Sequence, residues 1–422
     1  MKSTLGQVTA LLLSAAILLM GNGLQSTLLP LRAQFETFST FEIGILGSAY
    51  YIGFAAGCLG GPRLIRRVGH IRAFTAMVAI ASVMPLAHSM WSFAAFWWLC
   101  RGFTGFCLAT LFMIIESWLN EKATNENRGT IFSTYTILNL TVMTVGQLSV
   151  NLSDLHSFFL FSLASIMVSL AAVPLSITRA SAPAPIQRVK VRIGHLFRIS
   201  PVGIIGAFLV GAQQGAFWSL GPVFADRIGL TTFWITLFMS LTILGGALGQ
   251  WPLGKLSDRL DRRKVLVGVA LLAAIIGVSI RFLNPTLGHG ILIFGFLWGM
   301  LAMPLYSICA AHMNDHVKEG QFVEASSGLL LVFAGGAVLG PIIVSPFMTT
   351  VTPYALFAWT ALFQILMACW ALYRMTIRGA VAEEDRTEFT DALTEVSTVL
   401  SMSEDRAGTD KGAAEPEENG SN

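Results

Sequence analysis

The chain has 422 residues, of which 54% are hydrophobic and only 12% charged, with a formal net charge of +3. A chain so poor in charge has too little polar surface for a soluble globule of this length, and its mean hydropathy of +0.67 agrees. The five cysteines (Cys58, Cys100, Cys107, Cys309, Cys369) sit in apolar runs without CxxC or Cys/His grouping, so no disulfide framework and no metal site is expected.

Apolar runs of about 20 residues, enough to cross a hydrocarbon core of roughly 30 Å, recur along nearly the whole chain. They predict twelve helices, at about 8-31, 42-62, 71-89, 92-118, 129-151, 157-178, 201-225, 233-253, 264-283, 290-313, 321-347 and 353-375, and so an all-α polytopic membrane protein. The first run follows Lys2 and contains Ser14-Ala15-Ala16, which looks like a signal-peptide cleavage site. An internal repeat described below uses Asn22, Gly23 and Pro30, so the run is kept as the first helix.

Of the 27 lysines and arginines, all but Arg32, Arg101, Arg227 and Arg281 fall on one side of the predicted spans. Basic loops stay in the cytoplasm, which places both termini inside. Residues 179-200 carry Ala180-Ser-Ala-Pro-Ala-Pro185 and then a basic stretch, as suits a cytoplasmic linker between two bundles. Its charge reads either as an orientation signal or as a site for anionic lipid head groups. From Glu383 onward twelve acidic residues oppose three basic ones, which predicts a mostly disordered tail. Phe389, Leu393, Val396 and Leu400 keep helical spacing there, and the tail either docks on the basic loops or hangs free.

The basic loop Gly254-Lys-Leu-Ser-Asp-Arg-Leu-Asp-Arg-Arg-Lys264, moved back by 192 positions, falls on Pro62-Arg-Leu-Ile-Arg-Arg-Val-Gly-His-Ile-Arg72. The same shift puts Gly53 on Gly245, Gly57 on Gly249, Phe41 on Phe233, and Asn22-Gly23 with Pro30 on Gln214-Gly215 with Pro222. A constant offset over some fifty residues marks two copies of one membrane unit.

Gly254-x-Leu256-x-Asp258-Arg259-x-x-Arg262-Arg263 resembles the loop signature of the major facilitator superfamily, found after the second and the eighth helix. Two positions depart from it: Asp261 stands where the family usually has a second glycine, and Arg66 stands where the first copy usually has its aspartate. The resemblance implies two pseudo-symmetric six-helix bundles at 1-178 and 201-376, a linker at 179-200 and a cytoplasmic tail at 377-422. Arg101, Gly105 and Ala109 resemble the family's fourth-helix motif, whose arginine is associated with proton coupling in exporters. A structural arginine that locks helix packing is the alternative. Glu116, fifteen residues on, is the second coupling candidate, or else it pairs with a basic loop residue.

In the family, helices 1, 4, 7 and 10 line the cavity, so Asn22, Gln25, Gln213, Gln214 and Trp218 look like solute contacts, with interhelical hydrogen bonding as the alternative. Gly336-xxx-Gly340-Pro341 resembles the exporters' fifth-helix motif, displaced to helix 11, and together with Gly105 marks close helix packing. The loop residues Arg66, Arg67, Gly69, Arg128, Gly254, Asp258, Arg259, Arg262, Arg263 and Glu324 form the gating candidates. Asp258 would latch the start of helix 5 near Arg128, and Arg66 would pair with Asp315, Glu319 or Glu324 as a latch of reversed polarity. Solvated orientation signals are the alternative for all of them.

No phosphate-binding glycine loop with lysine appears, so an ion gradient rather than ATP is the expected energy source, without cofactor or enzymatic site. The phrases Arg63-Leu-Ile-Arg-Arg-Val-Gly-His-Ile-Arg72 and Ile115-Glu-Ser-Trp-Leu-Asn120 resemble an efflux-like branch of the superfamily. The expectation is a monomeric, multi-pass inner-membrane secondary transporter. It would export small organic or amphipathic solutes against protons, with membrane lipids and the solute as partners and no nucleic acid. Proton-coupled uptake of a metabolite, and a sensor or lipid-handling protein on the same scaffold, are the alternatives.

Overall fold

The structure, a computed structural model, describes residues 2–122, 128–177, 191–283, 289–318 and 321–379. Among these every regular element is helical. The first half holds α1 (Lys2–Phe35), α2 (Thr40–Val68), α3 (His70–Met90), α4 (Ala94–Lys122) and α5 (Arg128–Leu148), the last running into a 3-10 turn (Ser149–Leu152). Its sixth crossing is shared by α6 (Phe159–Leu170) and α7 (Ala172–Ile177). After the short α8 (Ile193–Ile199), the second half holds α9 (Pro201–Arg227), α10 (Thr232–Arg259) and α11 (Arg262–Ser279). The tenth crossing is shared by α12 (His289–Ala302) and α13 (Leu305–Asn314), and α14 (Phe322–Thr350) and α15 (Ala355–Ile377) complete the set.

Eleven of these crossings are long and apolar enough to span a bilayer. The remaining one, α5, has the length of a span but carries Thr134, Thr136, Asn139, Thr141, Thr144 and Gln147. Two crossings expected to be continuous are broken, each just before a proline takes effect. Pro174 and Pro304 lack the donor that would bond the carbonyls of Leu170 and Met300, and α6 and α12 end at Leu170 and Ala302.

The two copies are repeated down to individual backbone contacts. A side chain on Gly57 would strike the Phe106 carbonyl, and one on Gly249 would strike the Met300 carbonyl, so α2 lies on α4 as α10 lies on α12. Likewise Gly146 of α5 abuts the Met20 carbonyl of α1, and Gly340 of α14 abuts the Ala212 carbonyl of α9. From Phe106 to Met300, and from Gly146 to Gly340, the offset is 194. The pair Gly340-Pro341 is therefore the second half's counterpart of Gly146-Gln147. Helix ends repeat as well. Thr37 (φ 65°) and Gly229 (φ 90°) occupy the left-handed position of equivalent turns. In each turn the following amide reaches five residues back, Phe38 to the Ala33 carbonyl at 2.9 Å and Leu230 to the Ala225 carbonyl at 3.1 Å.

The halves touch at the end away from the basic loops, here called the outer end. There Gln34 donates to the carboxylate of Asp226, its counterpart 192 positions on, so the pseudo-twofold axis passes between them. Asn151 donates to Thr236 Oγ1 at 2.8 Å, and Ser48 Oγ donates to the Val338 carbonyl at 2.7 Å. The largest buried apolar cluster runs through this junction, joining Leu28 and Leu46 of the first half to Phe217 and Leu220 of the second.

The stretch expected to be wholly linker contains a helix that belongs to the second half. Leu196 of α8 packs among Ile204, Ala207, Met313, Ala325 and Leu329. Arg192, just ahead of it, grips Glu324 through Nε and Nη2, each at 3.0 Å. Residues 178–190 and the acidic tail with its predicted amphipathic segment lie outside the described residues.

Candidate functional site

Between the halves lies a cavity of about 240 Å³. From the first half α1 supplies Asn22 and Ser26, α2 supplies Gly47, Tyr50, Tyr51 and Phe54, and α4 supplies Arg101. From the second half come Trp218 and Ser219 on α9, and Leu330, Phe333 and Ala334 on α14. Small residues let the halves close over its outer side. A side chain on Gly47 would overlap Ser219, and one on Gly44 would meet Ser345 Oγ at 2.7 Å and the Pro341 carbonyl at 2.9 Å. Gly44 and Gly47 are one helical turn apart on α2, so a single face of that helix forms the seal.

Arg101 is the charged group inside. Its guanidinium carbon lies 4.5 Å from the Tyr50 ring centroid, and its Nη1 is buried with no hydrogen-bond partner. Arg32, Arg227 and Arg281, the other arginines away from the basic side, are accommodated at the outer end. Arg32 bonds the Leu155 carbonyl and Glu36, Arg227 bonds the Met348 carbonyl, and Arg281 lies over the Tyr354 ring. Gly105, one turn beyond Arg101, meets the Tyr50 carbonyl, which brings α2 and α4 together and sets Tyr50 beside the guanidinium.

Of the five polar or aromatic candidates, Asn22 and Trp218 line the cavity and three do not. The Asn22 amide has only a thioether contact, Nδ2 to Met143 Sδ at 3.8 Å, and its Oδ1 is buried without a partner. Gln25 turns back on the Gly21 carbonyl at 3.3 Å within its own helix. Gln213 and Gln214 donate to the carbonyls of Ala302 and Met303 at 3.3 to 3.5 Å. Those carbonyls are released by the break between α12 and α13, and a broken helix in a membrane needs such partners. In this structure both side chains face the broken helix rather than the cavity.

Tyr50, Tyr51, Ser219 and Phe333 were missing from the sequence-based set. The signal was two adjacent tyrosines in an apolar run of a chain with only six, which register as ordinary membrane aromatics without the third dimension. Glu116 is buried on α4, about 22 Å along the helix from Arg101. Tyr135 of α5 donates to its Oε1 at 3.5 Å.

At the basic end, Arg66 is exposed and joins neither Asp315 nor Glu324. Asp315 is held by Arg262 Nε at 2.7 Å and Glu324 by Arg192, while Glu319 lies outside the described residues. The reversed latch to either described acid is therefore not made in this conformation, because the second half has claimed both for itself. Asp258 lies 3.2 Å from Arg262, one turn on, and the side chain of Arg128, at the start of α5, is outside the description. Arg67 and Arg259 are exposed, Gly254 is buried, and Gly69 (φ 85°) makes the turn between α2 and α3. Asp261 caps α11 through the Arg263 amide at 3.0 Å and clamps the Arg263 guanidinium, which in turn donates to the Arg378 carbonyl at 2.7 Å. Burial alone would raise the Asp261 carboxyl; the Arg263 hydrogen bonds and charge outweigh it and hold the group below the usual carboxylate range.

Similarity to known proteins agrees with this architecture. The family model of the Major Facilitator Superfamily matches residues 11–341. YcaD of Escherichia coli K12, an uncharacterized MFS-type transporter, is 27% identical over 365 residues, covering 84% of this chain and 92% of its own. An uncharacterized MFS-type transporter of Enterobacter sp. strain 638 is 26% identical over 362 residues, with the same coverage of 84% and 92%. Among solved structures, the nucleoside transporter NupG superposes with a TM-score of 0.73 at 14% identity, covering 88% of this chain and 100% of that one. A bacterial homolog of the human lysosomal transporter Spinster, inward-facing and occupied, gives 0.71 at 15% identity, covering 90% and 97%.

Proposed function

Because the chain belongs to the Major Facilitator Superfamily and is a multi-pass secondary transporter rather than an enzyme, we propose that it works by alternating access, exporting a small organic solute in exchange for protons. The observation that carries this reading is the cavity itself, walled by both halves and sealed at one end by contacts between them. Two bundles that meet there through small residues, apolar contacts and a few hydrogen bonds can rock apart. The solute then gains access from the other face without any helix being unmade. With the basic loops in the cytoplasm of an inner-membrane protein and both termini inside, the conformation described here faces inward.

Glu116 is the residue we assign to the proton. It is a buried carboxylate on a helix that also carries the cavity arginine, and it touches a tyrosine of the next crossing. A carboxyl group that faces a partner on the neighbouring helix can exchange a proton as the two helices move. Arg101 sits too far along α4 to contact it, so coupling runs through movement of α4 against α5 rather than through direct charge pairing.

The test uses purified protein in liposomes with an imposed pH gradient and an internal pH dye. Solute-dependent proton movement, its sign showing exchange, is the expected result. Glu116→Gln is expected to abolish proton movement while leaving solute counterflow. Proton movement of the opposite sign would mean uptake, and unchanged coupling in Glu116→Gln would remove that residue from the mechanism.

A further inference from the structure

We infer that the cavity selects a small organic anion, a single-ring solute whose monoanionic headgroup sits on the edge of Arg101. The inference rests on the transporter reading above and adds the class of solute.

Charge decides first. Among the described residues lining the cavity, Arg101 carries a formal charge and no aspartate or glutamate accompanies it. A guanidinium is always protonated, and its Nη1 here is buried without a hydrogen-bond partner. A buried charge left without a counterion is costly in a low-dielectric site, and an anion entering the cavity relieves that cost. A cation would add repulsion and find no carboxylate to receive it.

Geometry then restricts how the anion is held. The Tyr50 ring covers a face of the guanidinium at 4.5 Å, leaving its N–H edge for contact. That edge matches a planar carboxylate or another oxyanion. Asn22 lines the same cavity and has only its thioether contact to lose, so its amide is available as a second donor.

The rest of the lining describes the body of the solute. Trp218, Leu330, Phe333 and Ala334 of the second half present no formal charge, and Tyr51 and Phe54 add aromatic surface from the first. The second half lacks a charge for a structural reason. At the offset of 194 that relates α4 to α12, the counterpart of Arg101 is Gly295, and a side chain at that position would run into the Phe238 ring. The headgroup therefore faces the first half and the apolar body faces the second. A volume of about 240 Å³ is that of a site for a small solute such as a single ring.

Isothermal titration of the purified full-length protein in detergent, with benzoate, benzyl alcohol and benzylamine as probes, tests this. Benzoate should bind, benzyl alcohol about tenfold or more weaker, as for loss of a hydrogen bond to a charged group, and benzylamine not measurably. Arg101→Gln should erase the preference for benzoate, and Arg101→Lys should keep part of it. If Arg101→Gln fails to give a monodisperse protein, Asn22→Leu serves instead and should weaken benzoate several-fold. Benzylamine or benzyl alcohol binding as tightly as benzoate, no benzoate binding at millimolar concentration, or wild-type benzoate affinity in Arg101→Gln would each overturn the inference. Benzoate binding without counterflow in liposomes would count against the transport reading alone, and counterflow of benzylamine would count against anion selection alone.

Discussion

Replacing Gly47 with alanine puts a methyl group into the space now held by Ser219, across the junction of α2 and α9. Ser219 Oγ can swing aside, but its Cβ is also in the way, so the two helices must part. Overfilling a packed contact of this kind costs about 1–3 kcal/mol. The cost falls only on the conformation in which the outer ends meet. At about 1.4 kcal/mol per factor of ten, the equilibrium moves about 5- to 150-fold toward the opposite, outward-open conformation. The assay is a distance measurement between spin labels replacing the exposed Phe41 and Phe233, at the outer ends of α2 and α10, in a background without the five native cysteines. Gly47→Ala should lengthen the distance distribution, and Ser219→Gly added to it should restore the original by returning the lost space. An unchanged distribution in Gly47→Ala, or failure of Ser219→Gly to reverse the change, would refute the idea that this contact seals the outer side.

Three further outcomes follow from local structure. Thr37 holds a left-handed backbone that costs a residue with a side chain about 1–2 kcal/mol. Against the extra chain freedom of glycine, about 0.5–1 kcal/mol, Thr37→Gly should stabilise the protein by about 0.5–1 kcal/mol and raise the apparent Tm in detergent. Gly229→Thr should lower it. Asp261 is held below its ordinary pKa, so its stabilisation is complete above the usual carboxylate range and is lost as the pH falls through the depressed value. Asp261→Ala should cost about 1 kcal/mol at neutral pH, and the gap in Tm from the wild type should narrow in acid. Glu324→Gln weakens the grip on Arg192, and Gly328→Val displaces Leu196, so both should speed amide hydrogen exchange across 193–199. If neither does so, α8 is not held by these contacts.

The fold was legible because duplication leaves a linear trace. Glycines that let helices touch cannot be exchanged without pushing backbones apart, so Gly57 and Gly249 remain at a fixed offset that can be read without coordinates. Helix breaks at Pro174 and Pro304 were harder, because a proline within a long apolar run bends, breaks or starts a helix depending on what receives the freed carbonyls. At Pro304 the receivers are Gln213 and Gln214, about ninety residues earlier. The cavity was half legible. A lone arginine in an apolar run announces itself, and Arg101 does line the cavity, but which polar groups surround it depends on helix rotation. Rotation separated Asn22 from Gln25, three positions on, and brought in Tyr50 and Ser219. The ion pairs at the basic end were least legible, because Asp315 and Glu324 had several arginines within reach in the sequence and only packing of α8 and α11 decides among them.

The hydrogen bond between Gln34 and Asp226 also bears on how such a chain can arise. These positions are copies of each other on a pseudo-twofold axis. In a dimer of identical half-length chains the same site would therefore face itself. An aspartate there would confront an aspartate, two like charges at contact distance, whereas a glutamine would meet a glutamine without penalty. The unequal pair becomes available only once both copies lie on one polypeptide and can change separately. The outer junction thus depends on the two copies differing at equivalent positions. The same freedom lets one half carry an arginine in the cavity wall while the counterpart position in the other half is Gly295.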